Sequence, residues 1–132
     1  MRVVRTMLSC LATAAGAALV VRAQSTPPAA AAPLVHVVLF DLTGPDTATD
    51  GRALVEDSRR LLRGIPGVAS VWAGPKALDD REAHVKDYDV ALCVRLRSVE
   101  DLKAYGPHPQ HRELIERWKG RATWRVIDFY DR

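Results

Sequence analysis

The residues best suited to chemistry fall in two short stretches. One is Tyr105-Gly106-Pro107-His108-Pro109-Gln110-His111, which sets a phenol and two imidazoles close together along the chain. The other is Leu34–Leu42 (LVHVVLFDL), where His36, Val38 and Phe40 share one face of an extended segment. A histidine can take a proton near neutral pH, and a tyrosine hydroxyl can donate to an oxygen on which enolate charge develops. Aldol-type ring closure needs those two functions and no metal. Structural roles fit the same residues. Pro109 suits the first turn of a helix, and His108 could cap that helix by satisfying a backbone donor. His111 could be a half-buried, hydrogen-bonded side chain, and His84 lies in a charged stretch expected in solvent. Three histidines could in principle hold a metal, but no Cys pair and no His-Glu motif at helical spacing accompanies them, so neither metal nor cofactor is expected.

Charge and cysteine usage remove other classes. Arg2 and Arg5 precede an uncharged stretch from Met7 to Val21 rich in Ala, Leu and Val, and Val21-Arg22-Ala23 has the small residues of a cleavage site. The stretch is short for a membrane span, which needs roughly 20 apolar residues. Residues 1–23 are therefore expected to be a cleaved export signal, with an uncleaved anchor as the alternative. Leu8-Ser9-Cys10 looks like the end of a lipobox, but almost no apolar segment precedes it, so lipidation is not expected. The expected destination is the periplasm or the medium, without a membrane anchor after cleavage.

Of the 19 Lys and Arg, Arg2, Arg5 and Arg22 lie in this leader and none of the 16 acids does, so the remainder carries 16 of each sign. A domain of zero net charge is a poor nucleic-acid binder, and no basic groove accompanies Trp72, Trp118 and Trp124, which are expected in the core and a cavity wall. Only Cys93 remains after cleavage. It can form no internal disulfide and reads as a small buried hydrophobe.

These residues must be positioned by the elements around them. Gln24 to Pro33 (QSTPPAAAAP) is expected to be a tether, leaving a globular part at residues 34–132. Leu34–Leu42 is a β-branched strand, broken by Gly44-Pro45. A helix is expected from about Thr49 to Arg63, with Leu54, Ser58, Leu61 and Leu62 on one side, stopped by Gly64 and Pro66-Gly67. Val68–Gly74 is a second strand and Pro75–Lys86 a charged loop. Tyr88–Arg97 alternates as a third strand. Ser98 caps a helix, with Asp101 as a capping-box relative. Gly106-Pro107 interrupts it, helix resumes over Pro109–Trp118, and Ala122–Tyr130 is the last strand. The order β-α-β-β-α-β predicts a ferredoxin-like α+β fold, an antiparallel sheet with its helices on one face. The first and last strands are apolar on both sides, so the opposite face also needs cover, most simply from a second copy.

The stretch Leu34–Tyr130 resembles the stress-responsive dimeric α/β-barrel (Dabb) family. The resemblance is carried by His36-Val37-Val38-Leu39-Phe40, Ile65-Pro66-Gly67-Val68, Tyr88-Asp89-Val90-Ala91-Leu92, Ser98 to Tyr105 (SVEDLKAY) and His108-Pro109-Gln110-His111. Asp41 departs from it, since the family usually has a basic residue near the end of the first strand. The resemblance implies a homodimer whose two sheets close a barrel around an apolar cavity. It also implies that Tyr105 and His111 match the phenol–imidazole pair of cyclase-like members, with His36, Val38, Phe40 and His108 at the ligand. The expected function is thus an exported homodimer that binds a small apolar or aromatic molecule, with cofactor-free cyclase, lyase or isomerase chemistry. The alternative is a non-enzymatic stress-response or interaction module. His36, Val38 and Phe40 are assigned to the barrel interior.

Overall fold

A computed structural model describes residues 33–131, so the expected leader and nearly all of the tether lie outside the described residues. Four strands and three helices follow in the order β1 (Leu34–Leu42), α1 (Thr47–Leu62), β2 (Val68–Pro75), β3 (Val90–Leu96), α2 (Val99–Tyr105), α3 (Pro109–Trp118) and β4 (Ala122–Tyr130). The strands form one antiparallel sheet in the order β2-β3-β1-β4. This is the expected ferredoxin-like arrangement.

Local chemistry sets most boundaries. The Asp46 carboxylate accepts the Thr49 N–H at 3.0 Å and starts α1 two residues earlier than apolar spacing alone predicts. The Ser98 hydroxyl accepts the Asp101 N–H at 3.1 Å and caps α2. The Asp101 carboxylate does not return to the cap as in a capping box; it pairs with Arg97. Pro75 ends β2, tolerated because β2 is an edge strand. Opposite Pro75, across the loop, β3 starts at Val90 rather than Tyr88. Asp89 bonds to both sides, its N–H donating to the Phe40 carbonyl at 2.7 Å and its carbonyl accepting the Lys76 N–H at 2.8 Å, while its carboxylate accepts the Leu42 N–H at 2.9 Å.

The core lies between the sheet and the helices. Leu34, Val38, Phe40 and Leu42 of β1 are buried with Val90, Leu92, Val94 and Leu96 of β3, against Leu54, Leu61 and Leu62 of α1 and Leu114 and Trp118 of α3. Antiparallel register places Val38 opposite Leu92 and Phe40 opposite Val90, so these side chains share a face. That face is the one beneath the helices. The expectation that His36, Val38 and Phe40 face the barrel interior is therefore corrected: it is Val35, Val37 and Leu39 that point to the open side of the sheet. Both sets are apolar, and alternation alone does not say which one the helices cover.

Candidate functional site

The break at Gly106-Pro107 brings the phenol and the imidazole together. The last turn of α2 presents Tyr105, which is 2% exposed. The His108 N–H then donates to the Tyr105 carbonyl at 3.1 Å, and Pro109 opens α3 with its fixed φ and missing donor. His111 stands in the first turn of α3, and its Nδ1 lies 2.8 Å from the Gly106 carbonyl. A carbonyl only accepts, so Nδ1 carries the hydrogen and the Nε2 of a neutral His111 keeps its lone pair. The Tyr105 and His111 rings lie 4.5 Å apart between centroids.

From below, β1 contributes His36, whose ring meets Tyr105 edge-on at 5.6 Å. The His36 Nδ1 lies 2.7 Å from an Asp128 carboxylate oxygen on β4. The carboxylate orients the imidazole as an Asp-His pair does. Tyr105 thus sits between two rings, each held at its Nδ1 by an oxygen acceptor. Its own hydroxyl makes no hydrogen bond among the described residues.

A cavity of about 150 Å³ opens here, between the sheet and the α2–α3 corner. His36, Tyr105 and His111 line it with Val38, Phe40 and Trp124, and four aliphatic side chains complete the wall. Phe40 and Trp124 pack with centroids 6.0 Å apart. No Lys or Arg is in the lining. This cavity lies within a single subunit. A larger groove of about 590 Å³ runs along α1 near Pro75, and no His or Tyr lines it.

Burial decides the protonation states. It pushes the Tyr105 hydroxyl well above its ordinary range, so the phenol stays a donor. Burial also lowers the His111 pKa; the Gly106 carbonyl pulls the other way, and the neighbouring His36 and His108 rings lower it further. His111 is accordingly neutral at pH 7, a base with a free Nε2. Burial raises the Cys93 thiol, which suits a hydrophobe better than a nucleophile.

Of the expected residues, the fold gathers His36, Val38, Phe40, Tyr105 and His111 around one cavity. His108 does not line it. Its Nδ1 accepts the Gln110 N–H at 3.3 Å and caps α3, the structural alternative. Sequence reasoning placed Trp124 in a cavity wall, as found, but missed Asp128, Leu114 and Ile115. Asp128 had one visible signal, a lone acid inside the apolar run Val126-Ile127-Asp128-Phe129, but nothing local ties it to His36. Among the described residues, no three His, Cys, Asp or Glu side chains are grouped to hold a metal ion.

The sheet order, the helices on one face and the cavity at the α2–α3 corner define a ferredoxin-like α+β domain with a buried phenol–imidazole site. Residues 34–131 match the Stress responsive A/B Barrel Domain (Dabb) family, and the chain belongs to it. An uncharacterized protein of Streptomyces coelicolor is 28% identical over 95 residues, covering 71% of this chain and 95% of that protein. A dimeric ferredoxin-like protein of unknown function from Jannaschia sp. CCS1 superposes with a TM-score of 0.62 at 20% identity, over 74% of this chain and 97% of that one. The hydroxynitrile lyase of Passiflora edulis superposes with a TM-score of 0.66 at 14% identity, over 76% of this chain and 94% of the lyase.

Proposed function

We propose that this chain is an exported homodimer that binds a small, neutral, apolar or aromatic carbonyl compound and moves a proton on it without a cofactor, as a lyase, isomerase or cyclase does. One observation carries the reading: a buried phenol with an unspent hydroxyl lies against a neutral imidazole whose Nε2 is free, in an apolar cavity. In such a site His111 Nε2 takes a proton from a carbon acid or hydroxyl of the ligand. The Tyr105 O–H donates to the carbonyl oxygen on which the charge gathers, and His111 then returns the proton. The absence of Lys and Arg from the lining favours neutral ligands, because a carboxylate would lose its water without gaining a cation. The apolar open face of the sheet and the dimeric state of a similar fold support the homodimer. The similarity to a hydroxynitrile lyase supports a lyase reading for this fold.

Titration of the isotope-labelled protein with acetophenone and, separately, benzoate tests the ligand class. Acetophenone is expected to shift resonances of Tyr105, His111 and Trp124, and benzoate to leave them in place. Tighter binding of benzoate at the same residues, or no binding of either, would sink the neutral-carbonyl reading. A protein inert to such probes that still forms the dimer would be the interaction module.

A further inference from the structure

We infer that a second copy completes this site through β4: packing on Ile127 and Phe129 holds the strand that presents Val126 and Asp128 to His36. The inference rests on the homodimer proposed above.

The strand alternates between two surfaces. In register with β1, Trp124 lies opposite Phe40, Val126 opposite Val38 and Asp128 opposite His36, all on the cavity side. Ile127 and Phe129 lie opposite Val37 and Val35 and point to the open side. β4 is an edge strand paired only with β1. From Arg125 to Tyr130 none of its residues is buried, and Ile127 and Phe129 are 57% and 49% exposed. One subunit therefore holds this half-strand by its backbone ladder and by polar contacts such as Arg125 with Asp87, without burying it, although it supplies a cavity wall and the carboxylate that orients His36. Exposed backbone hydrogen bonds with few packed side chains mark segments that open at low free energy.

The open side points to the same partner. Ile127, Val37, Cys93 and Trp72 are successive register partners, an apolar row crossing all four strands. Trp72, at the far end, is 56% exposed. A row as wide as the sheet fits another sheet of the same width, and the open face of a second copy is one. Its packing would bury Ile127 and Phe129 from behind and remove the outward excursions of β4 that separate Asp128 from His36. Ile127 and Phe129 are then positioning residues that act through Asp128 and touch no ligand.

The test reads the Nδ1–H proton of His36 by NMR, because an imidazole N–H held by a carboxylate exchanges slowly enough to be seen. The whole protein carries ¹⁵N-labelled histidine, and His36→Gln assigns the signal. Ile127→Lys alters β4 directly. Trp72→Lys opposes the same interface from β2, two strands away from β4. Light scattering reports the mass of each variant and circular dichroism its fold; dilution of the unaltered protein provides a monomer without substitution. The His36 signal is expected in the dimer and lost in every folded monomer, including that of Trp72→Lys. A folded monomer that keeps the signal overturns the inference and leaves the homodimer standing. An unaltered protein that is monomeric at micromolar concentration overturns both.

Discussion

At the residue scale, the site is controlled by where two imidazole hydrogens sit. The Gly106 carbonyl holds one on His111 Nδ1, and Asp128 accepts the other from His36. Replacing His111 with Gln should preserve the fold and remove turnover of any ligand identified, since an amide exchanges no proton near neutral pH. His111→Ala should also lower stability, by about 0.5–1.5 kcal/mol for the lost hydrogen bond, because exposed Gly106 can turn to water. Full activity in a folded His111→Gln protein would take this histidine out of the mechanism. The lowered His111 pKa sets the direction of the pH profile. Turnover should rise through a midpoint below 6.5, the ordinary histidine value, and level off above it. Stability follows the same sign. Between the folded pKa and 6.5 the unfolded chain holds more protons, so this group's contribution is complete above 6.5 and is lost as pH falls through the folded value. An activity that increases on acidification below pH 6 would contradict the assignment of His111 as base.

At the element scale, the Ile65-Pro66-Gly67-Val68 turn has a steric origin. Gly67 has φ of 91°, and a Cβ there would lie 2.5 Å from the Asp101 Cγ at the start of α2. Gly67→Ala should therefore cost roughly 2 kcal/mol or more, read as a lowered melting temperature. An unchanged melting temperature would mean that α2 gives way without penalty. Ser98→Ala removes the cap of that same short helix and should cost about 0.5–2 kcal/mol. Ser58 offers the opposite expectation. Its hydroxyl is buried on α1 without a hydrogen-bond partner among the described residues, so Ser58→Ala should leave the melting temperature unchanged or raise it. Most element boundaries were legible because their causes are local: Gly44-Pro45, Pro66-Gly67 and Gly106-Pro107 interrupt the chain wherever it goes. The early start of α1 and late start of β3 were less legible, since the Asp46 cap overrides apolar spacing and Asp89 bonds to a distant strand.

At the scale of the whole molecule, the proposed export predicts a soluble protein in the cell envelope or medium whose first residue, by mass spectrometry, is at or near Gln24. An intact Met1 on a cytoplasmic protein would end that proposal. The division between local and tertiary information is sharpest at β1. Alternation and turn residues were enough to specify four strands, the helical segments and their order, because strand and helix periodicity depend only on neighbours along the chain. The pairing of Tyr105 with His111 was within reach for the same reason, since six positions and one helix break separate them. Which face of β1 meets the helices was not, because Val35, Val37 and Leu39 are as apolar as Val38 and Phe40. Burial against α1 and α3 made that choice. The place of Asp128 was further out of reach: it joins His36 from 92 positions away, and only the antiparallel register of β1 with β4 brings the two together.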